Sequence, residues 1–213
     1  MQDLADIALR SLLVSGSATC IAACLGLPLG AWLGLASRWL RLWLRPLLFS
    51  LMALPPVVVG LALYMLLSRS GPLGQLEWLY TVPAMILAQS ILALPFVIGV
   101  TMQGIAAVPA ELALQLRSLG ASERQVRWTI LREAYPAMGL AVAAALGRSL
   151  SEVGAVLIVG GNIAGKTNVL TTAIYQETSR GQFQTAIALG AMLLVMAWTA
   201  NLAVALWQRE PAV

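Results

Sequence analysis

The sequence predicts an all-α fold, a polytopic helical bundle embedded in a membrane, and three observations carry that prediction. Of the 213 residues, 60% are hydrophobic and only 10% are charged, against about 25% charged residues in an average soluble domain. The mean hydropathy is +0.84. The apolar residues gather into five runs of about 20 residues, the length of helix that crosses a bilayer core. Five spans leave no room for a soluble domain of ordinary size, so residues 1–213 are expected to form a single transmembrane domain.

The first predicted span is Leu12 to Ala36, where Gly16, Gly26, Pro28, Gly30 and Gly34 suit close packing against other helices. Asp3 and Asp6 stand before Arg10, and the apolar run that follows exceeds a signal-peptide core, so no cleavage is expected. Cys20 and Cys24 are the only cysteines. They lie four apart on one face of this span, where cysteine is expected to pack as a small hydrophobe, and they provide no disulfide framework.

A basic link from Ser37 to Pro46 follows, with Trp39 and Trp43 among its arginines, as expected for a segment running along a membrane interface. The second span, Leu47 to Leu67, carries Pro55-Pro56 and Gly60 at mid-depth. Such a break is tolerated in a bilayer only where protein or cavity water satisfies the freed carbonyls. A link from Ser68 to Tyr80 leads to the third span, Val82 to Met102, which contains Gln89, Ser90 and Pro95. The fourth span is about Ala137 to Val159, the segment Gly160 to Gln182 is expected to be a loop, and Thr185 to Trp207 is the fifth span.

Between the third and fourth spans lies the one long polar stretch, Pro109 to Pro136, which holds seven of the 22 charged residues. Leu112, Leu116, Leu119, Val126 and Ile130 recur at roughly helical spacing, while Arg117, Arg124, Arg127, Arg132, Glu111, Glu123 and Glu133 cover the other faces. Leu119-Gly120-Ala121-Ser122 interrupts the pattern: Gly120 suits a helix end, and Ser122 before Glu123 suits a start. Two short amphipathic helices joined by a tight elbow are expected, a device suited to docking a partner.

Lys and Arg near span ends set topology. One side collects Arg38, Arg41, Arg45, Arg117, Arg124, Arg127, Arg132 and Arg209, and the other Arg10, Arg69, Lys166 and Arg180. The excess puts the polar stretch and the C-terminus in the cytoplasm and the N-terminus outside. The composition carries no nucleic-acid signature.

Arg148 and Glu152 stand four apart on one face of the fourth span, with Ser151 close to both. Each charge costs about 2.5 to 3.5 kcal/mol at the centre of a span, about 5 to 7 kcal/mol for the pair, and the apolar residues of this span offset about 3 to 5 kcal/mol of that total. The pair is expected to shelter in protein or line a watery path, acting as an internal salt bridge, as part of a pathway, or as both. Ala143, Gly147 and Ser151 form a small-residue ridge suited to close helix contact, including contact with a second copy of the chain.

Gly160-Gly161-Asn162-Ile163-Ala164-Gly165-Lys166-Thr167 matches the nucleotide-binding pattern G-x-x-x-x-G-K-[ST] residue for residue. That motif works as a loop between a strand and a helix of an α/β domain, and no βαβ unit is predicted here. Nucleotide binding is therefore not expected. The glycines, Asn162 and the hydroxyls of Thr167, Thr171 and Thr172 offer neutral donors that can hold an anion, or they form a plain external turn.

These residues resemble a known family, the membrane permease subunits of ATP-binding-cassette (ABC) importers of the type I fold. Pro109, Glu111, Leu112, Arg117, Ser118, Leu119, Gly120, Ala121 and Ser122 match that family's coupling segment. The sequence departs from it where Leu114-Gln115-Leu116 takes the place of the Glu-Ala-Ala triplet, and Glu133 that of a proline. The run from Gly147 to Gln182 is similar to oxyanion permeases for molybdate and tungstate, and its Ser-Glu-Val-Gly-Ala, Gly-Gly-Asn-Ile-Ala-Gly and Leu-Thr-Thr-Ala-Ile sequences look closest to the tungstate branch.

The resemblance implies a homodimer of this chain in a bacterial or archaeal cytoplasmic membrane. It implies cytoplasmic ABC ATPase subunits at the elbow and an extracytoplasmic oxyanion-binding protein outside. ATP and Mg would belong to the ATPase, with no cofactor, metal or catalytic residue on this chain. Glu111, Arg117, Leu119, Gly120, Ala121, Ser122 and Arg124 would couple to the ATPase, and Arg148, Ser151, Glu152 and Asn162 would line the translocation path. Molybdate or sulfate is the alternative cargo, and a non-transporting membrane anchor or receptor subunit is the alternative of another class.

Overall fold

The computed structural model describes residues 4–207. Asp3 and Arg209, which entered the sequence argument, lie outside the described residues. Ten α-helices are formed: α1 (Leu4–Leu35), α2 (Arg38–Met52), α3 (Pro56–Leu67), α4 (Val82–Ala106), α5 (Ala110–Ser118), α6 (Glu123–Glu133), α7 (Tyr135–Leu150), α8 (Gly154–Gly160), α9 (Leu170–Ser179) and α10 (Phe183–Trp207). The described residues contain no strand.

Helix α4 is the centre of the bundle, with α1, α2, α3, α7 and α8 packed around it. Its Ala84, Met85, Ala88, Ala93, Val97 and Thr101 are fully buried. The largest core cluster joins α4 to α3 and α8 through Met85, Leu92, Val59, Leu63, Val156 and Val159. Against α1, the packing is set by glycines at every fourth position. A Cβ on Gly26 would lie 2.8 Å from the Val97 side chain, one on Gly30 would lie 2.8 Å from the Ile98 carbonyl oxygen, and one on Gly34 would lie 2.7 Å from Ile105. The dense glycines of the first span thus let two helix backbones approach, with Val97, Thr101 and Ile105 filling the space.

Helix α1 starts at Leu4, eight residues before the expected span. Its first turns are held by tertiary contacts: Ile7 packs with Leu170, Ala173 and Leu189, and Arg10 donates to the carbonyls of Asn168 and Gly165 at 3.0 and 3.1 Å. Cys20 and Cys24 are exposed on its outer face rather than packed, because the glycine side of the helix takes the inner position.

Four predicted elements are divided or replaced. The second span is two helices meeting at 83°. Residues 37–46, expected as a link, open α2, whose N-terminus is capped by Ser37. Pro55 and Pro56 supply no amide donors, and each drives its predecessor towards extended backbone, so the helix cannot continue through them. Pro55 itself adopts φ −63°, ψ 122°. The fourth span breaks by 58° between α7 and α8. The expected loop from Gly160 to Gln182 contains α9, which packs on α10 and on the start of α1.

Among the described residues, counted by length and composition, three single helices can cross a membrane, and five segments can if each bent pair is one span. The two breaks lie beside each other, because α3 packs on α8. A Cβ on Gly60 would stand 2.8 Å from Ala155 Cα, and one on Gly154 would stand 2.8 Å from the Val57 side chain.

The α1–α4 seam predicts a sharp contrast between glycines. Gly30→Leu should lower the thermal midpoint of the purified chain by the equivalent of about 3 kcal/mol or prevent folding, since overpacking against backbone has no flexible side chain to relieve it. Gly16→Leu, with nothing within 4 Å of its Cβ position, should be tolerated. Equal effects in a thermal unfolding series would contradict this packing.

Candidate functional site

The break between α7 and α8 gathers the buried charge of the bundle. Arg148, in the last turn of α7, donates from Nη1 to Glu152 Oε2 at 3.0 Å. Glu152 is buried, its side chain 4% exposed, whereas that of Arg148 is 28% exposed. The other carboxylate oxygen, Oε1, accepts the Ala155 amide at 3.1 Å and so satisfies an orphan donor at the start of α8. Both oxygens of Glu152 are therefore engaged.

Carbonyls at the break are also met from other elements. Gln89 of α4 donates to the Ser149 carbonyl at 3.0 Å, and Thr171 of α9 donates to the Glu152 carbonyl at 2.9 Å. Beside these bonds, Gln89 Oε1 and Ser149 Oγ are buried without a hydrogen-bond partner. The Arg148 guanidinium lies 5.9 Å from the centre of the Phe96 ring. It carries five N–H donors, and Glu152 takes one of them. The arrangement can offer the remaining donors to an anion from the more open side while Glu152 stays fixed below.

Ser151, expected near both charges, is exposed and donates to the Arg148 carbonyl at 3.0 Å. Of the small-residue ridge, Gly147 faces Asn201 of α10 in the same chain. Asn162 sits apart from the ion pair, in the turn after α8. Its amide donates to Gln176 at 2.8 Å and its oxygen accepts from Asn168 at 2.6 Å, which ties the turn to α9.

The hydroxyls singled out as anion donors are used inside the fold. Thr167 bonds the Gly160 carbonyl, Thr171 the Glu152 carbonyl and Thr172 the Val169 carbonyl. The amides of Lys166, Thr167 and Asn168 all turn onto the Ile163 carbonyl. These amides converge on a carbonyl of their own turn, so they are not free to cradle a phosphate, and the turn leads to α9 only after Val169.

The second region is the elbow, where α5 and α6 are joined by Leu119 to Ser122. Gly120 has φ +84°, a left-handed conformation that glycine adopts without a Cβ penalty. The Ala121 amide returns to the Leu116 carbonyl at 3.0 Å. Ser122 caps α6 through a reciprocal pair of bonds with Gln125. Across the elbow, Arg117 grips Glu123 with two bonds of 2.6 and 3.1 Å. The Arg117 hydrogen bond and charge hold the Glu123 carboxyl below its ordinary range and raise the guanidinium in turn.

The apolar stripe turns inward at Val126, while Leu119 stands 83% exposed at the tip rather than on the stripe. Glu111, in the first turn of α5 where the helix dipole favours a carboxylate, and Arg124 are exposed. With Leu114 and Trp128, both exposed, they give the elbow an outer surface of apolar knobs among charges.

Sequence reasoning gave no role to Gln89, Gln125 or Trp128. The Ser122-x-x-Gln125 spacing carried the signal for Gln125, and a glutamine inside a span carried it for Gln89. Trp128 offered only its size.

The family of binding-protein-dependent transport system inner membrane components matches residues 26–209. The chain belongs to that family. It is similar to the tungstate uptake system permease protein TupB of Peptoclostridium acidaminophilum, 41% identical over 94% of this chain and 88% of the relative. A probable anion ABC transporter permease protein of Haloferax volcanii is also 41% identical, over 93% and 88%. A putative molybdenum transport system permease protein of Bacillus subtilis is 30% identical, over 79% and 78%. The family is one of inner-membrane, multi-pass permease components, consistent with the apolar helices.

Removing one partner of a buried ion pair costs about 3 to 5 kcal/mol, less where one partner reaches water as Arg148 does. Glu152→Ala should therefore destabilise the purified chain by about 2 kcal/mol, and Glu152→Gln, which keeps an oxygen for the Ala155 amide, by roughly half of that. Thermal unfolding in detergent measures both. Identical losses would mean that the capping bond contributes nothing.

Proposed function

We propose that this chain is the membrane-spanning permease subunit of an ATP-driven importer for tungstate. The single observation that carries the cargo is the 41% identity, along nearly the whole chain, to a tungstate uptake permease. Identity to a molybdenum permease is lower, at 30%, which makes molybdate the second reading. Two copies of the chain would form the path between them. An extracytoplasmic binding protein would deliver the anion, and cytoplasmic ABC ATPases, carrying ATP and Mg, would dock at the elbows. The arginine distribution supports an N-terminus outside and a C-terminus in the cytoplasm.

Residues 1–213 would act as one transmembrane unit. In its path, Arg148 with Ser151 would attract the dianion, and the permanently engaged Glu152 would keep the site weak enough to release it. Asn162 would act at the outer mouth by fixing the turn after α8. Closure of the ATPases would swing the elbow as a rigid body, because the Gly120 turn, the Ser122 cap and the Arg117–Glu123 pair lock α5 to α6. Glu111, Leu119, Ala121 and Arg124 would form the rest of the contact.

The test is accumulation of tungsten, molybdenum and sulfur, by elemental analysis, in cells that lack their own oxyanion importers and express this chain with its partner genes. Tungsten should dominate, and Arg148→Gln should reduce its uptake at least tenfold at equal expression. Gly120→Pro, which removes an amide bonded to Arg117 and cannot adopt φ +84°, should abolish uptake while leaving the chain in the membrane. Dominant molybdenum would replace the cargo, and no uptake by an assembled complex would favour a non-transporting anchor.

A further inference from the structure

Helix α2 carries three arginines, Arg38, Arg41 and Arg45, at i, i+3 and i+7, and all three line one groove against Met102, Gln103 and Ala106 of α4. No acidic side chain lines this groove, and the sequence contains no Asp or Glu from residue 7 to residue 76. Arg41 donates to the Gly34 carbonyl and Arg45 lies 5.5 Å from the centre of the Phe49 ring. Neither contact neutralises charge, and no described salt bridge involves any of the three. Among the described residues, three cations therefore converge on one concave surface without a counter-charge.

The rest of α2 says what covers them. Trp39 and Trp43 pack on each other at 6.0 Å and are 71% and 68% exposed. Leu40, Leu42 and Leu47 are exposed beside them. A helix with a basic row and an aromatic and aliphatic flank suits the boundary between headgroups and acyl chains, and basic pockets between membrane helices suit anionic headgroups. We propose that this groove is a binding site for the phosphodiester headgroup of an anionic phospholipid, whose acyl chains cover the exposed Trp39, Trp43 and Leu42.

A free inorganic oxyanion would satisfy the arginines but leave that apolar flank bare, so the lipid fits both halves of the surface. The α4 wall of the groove, Gln103 and Ala106, is the last turn before α5 begins at Ala110. A bound headgroup would therefore brace the junction between the bundle and the elbow. This site is independent of the cargo.

Native mass spectrometry of the full chain, titrated with short-chain phosphatidylglycerol, phosphatidylcholine or inorganic phosphate, tests the proposal. Phosphatidylglycerol should bind at least tenfold more tightly than phosphatidylcholine. At about 1 kcal/mol per arginine, Arg38→Gln with Arg45→Gln should weaken phosphatidylglycerol by about 25-fold. Arg41 is left in place because it also holds Gly34, and an unchanged helical circular dichroism spectrum confirms the fold. Arg69→Gln, outside the groove, should change nothing. Equal binding of the two lipids, or a preference that survives in the double variant, would overturn the proposal. Displacement of the lipid by submillimolar phosphate would overturn it in favour of a small-oxyanion site.

Discussion

A helix that breaks inside a membrane must have its freed backbone groups satisfied by protein or by water in a cavity, and the architecture of this chain follows from two such breaks placed side by side. No water is available in hydrocarbon to bond an open carbonyl, and each one left alone costs several kcal/mol. At the α7–α8 break the solution is distributed over three elements. Gln89 of α4 takes the Ser149 carbonyl, Thr171 of α9 takes the Glu152 carbonyl, and Glu152 takes the Ala155 amide. At the α2–α3 break the prolines have no donors to satisfy, and Gly60 and Gly154 let α3 and α8 approach closely. The central position of α4 and the docking of α9 under the start of α1 are consequences of this bracing.

The same economy separates a stiff body from a stiff lever. The body is held by long-range side-chain to backbone bonds and by the glycine seam of α1 on α4. The elbow is held by bonds between near neighbours: a left-handed glycine, a serine cap and an ion pair spanning six residues. In the proposed importer, force applied at exposed Leu119, Leu114 and Trp128 would therefore move α5 and α6 together. The ion pair lies at the α7–α8 break, so a change of angle between α7 and α8 would change how far Arg148 reaches water.

What could be read from the sequence was what local chemistry decides. Gly120, Ser122 and the alternation of charge fixed the elbow to within a residue or two, because turn and cap preferences act over four residues. The small-residue side of α1 was legible from the spacing of Gly26, Gly30 and Gly34. Arg148 and Glu152 meet as their i, i+4 spacing implies, even though the helix breaks at Ser151, because α7 keeps helical backbone up to that point. The break itself was not legible: Val153 carries no proline or cap signal, and its conformation depends on Gln89 and Thr171, 60 and 19 residues from the carbonyls they meet. Helix α9 was hidden for a similar reason. Its threonines suit a turn, and it is held by Ser11 of α1, which accepts the Leu170 amide across 159 residues. Cys20 and Cys24 reversed the expected burial because the adjacent glycines claim the inner face.

The central claim of the proposed function is that the Arg148–Glu152 pair lines the translocation path, which requires its access to water to change as the importer turns over. The most direct measurement is the rate at which a membrane-impermeant thiol reagent labels Ser151→Cys, in a Cys20→Ala, Cys24→Ala background, in the assembled complex. The account predicts at least a tenfold difference in labelling rate between the nucleotide-free complex and one trapped with a non-hydrolysable ATP analogue. Equal rates in the two states, with the complex intact and the reagent reaching a control site in both, would contradict it and leave the Arg148–Glu152 pair as a structural brace alone.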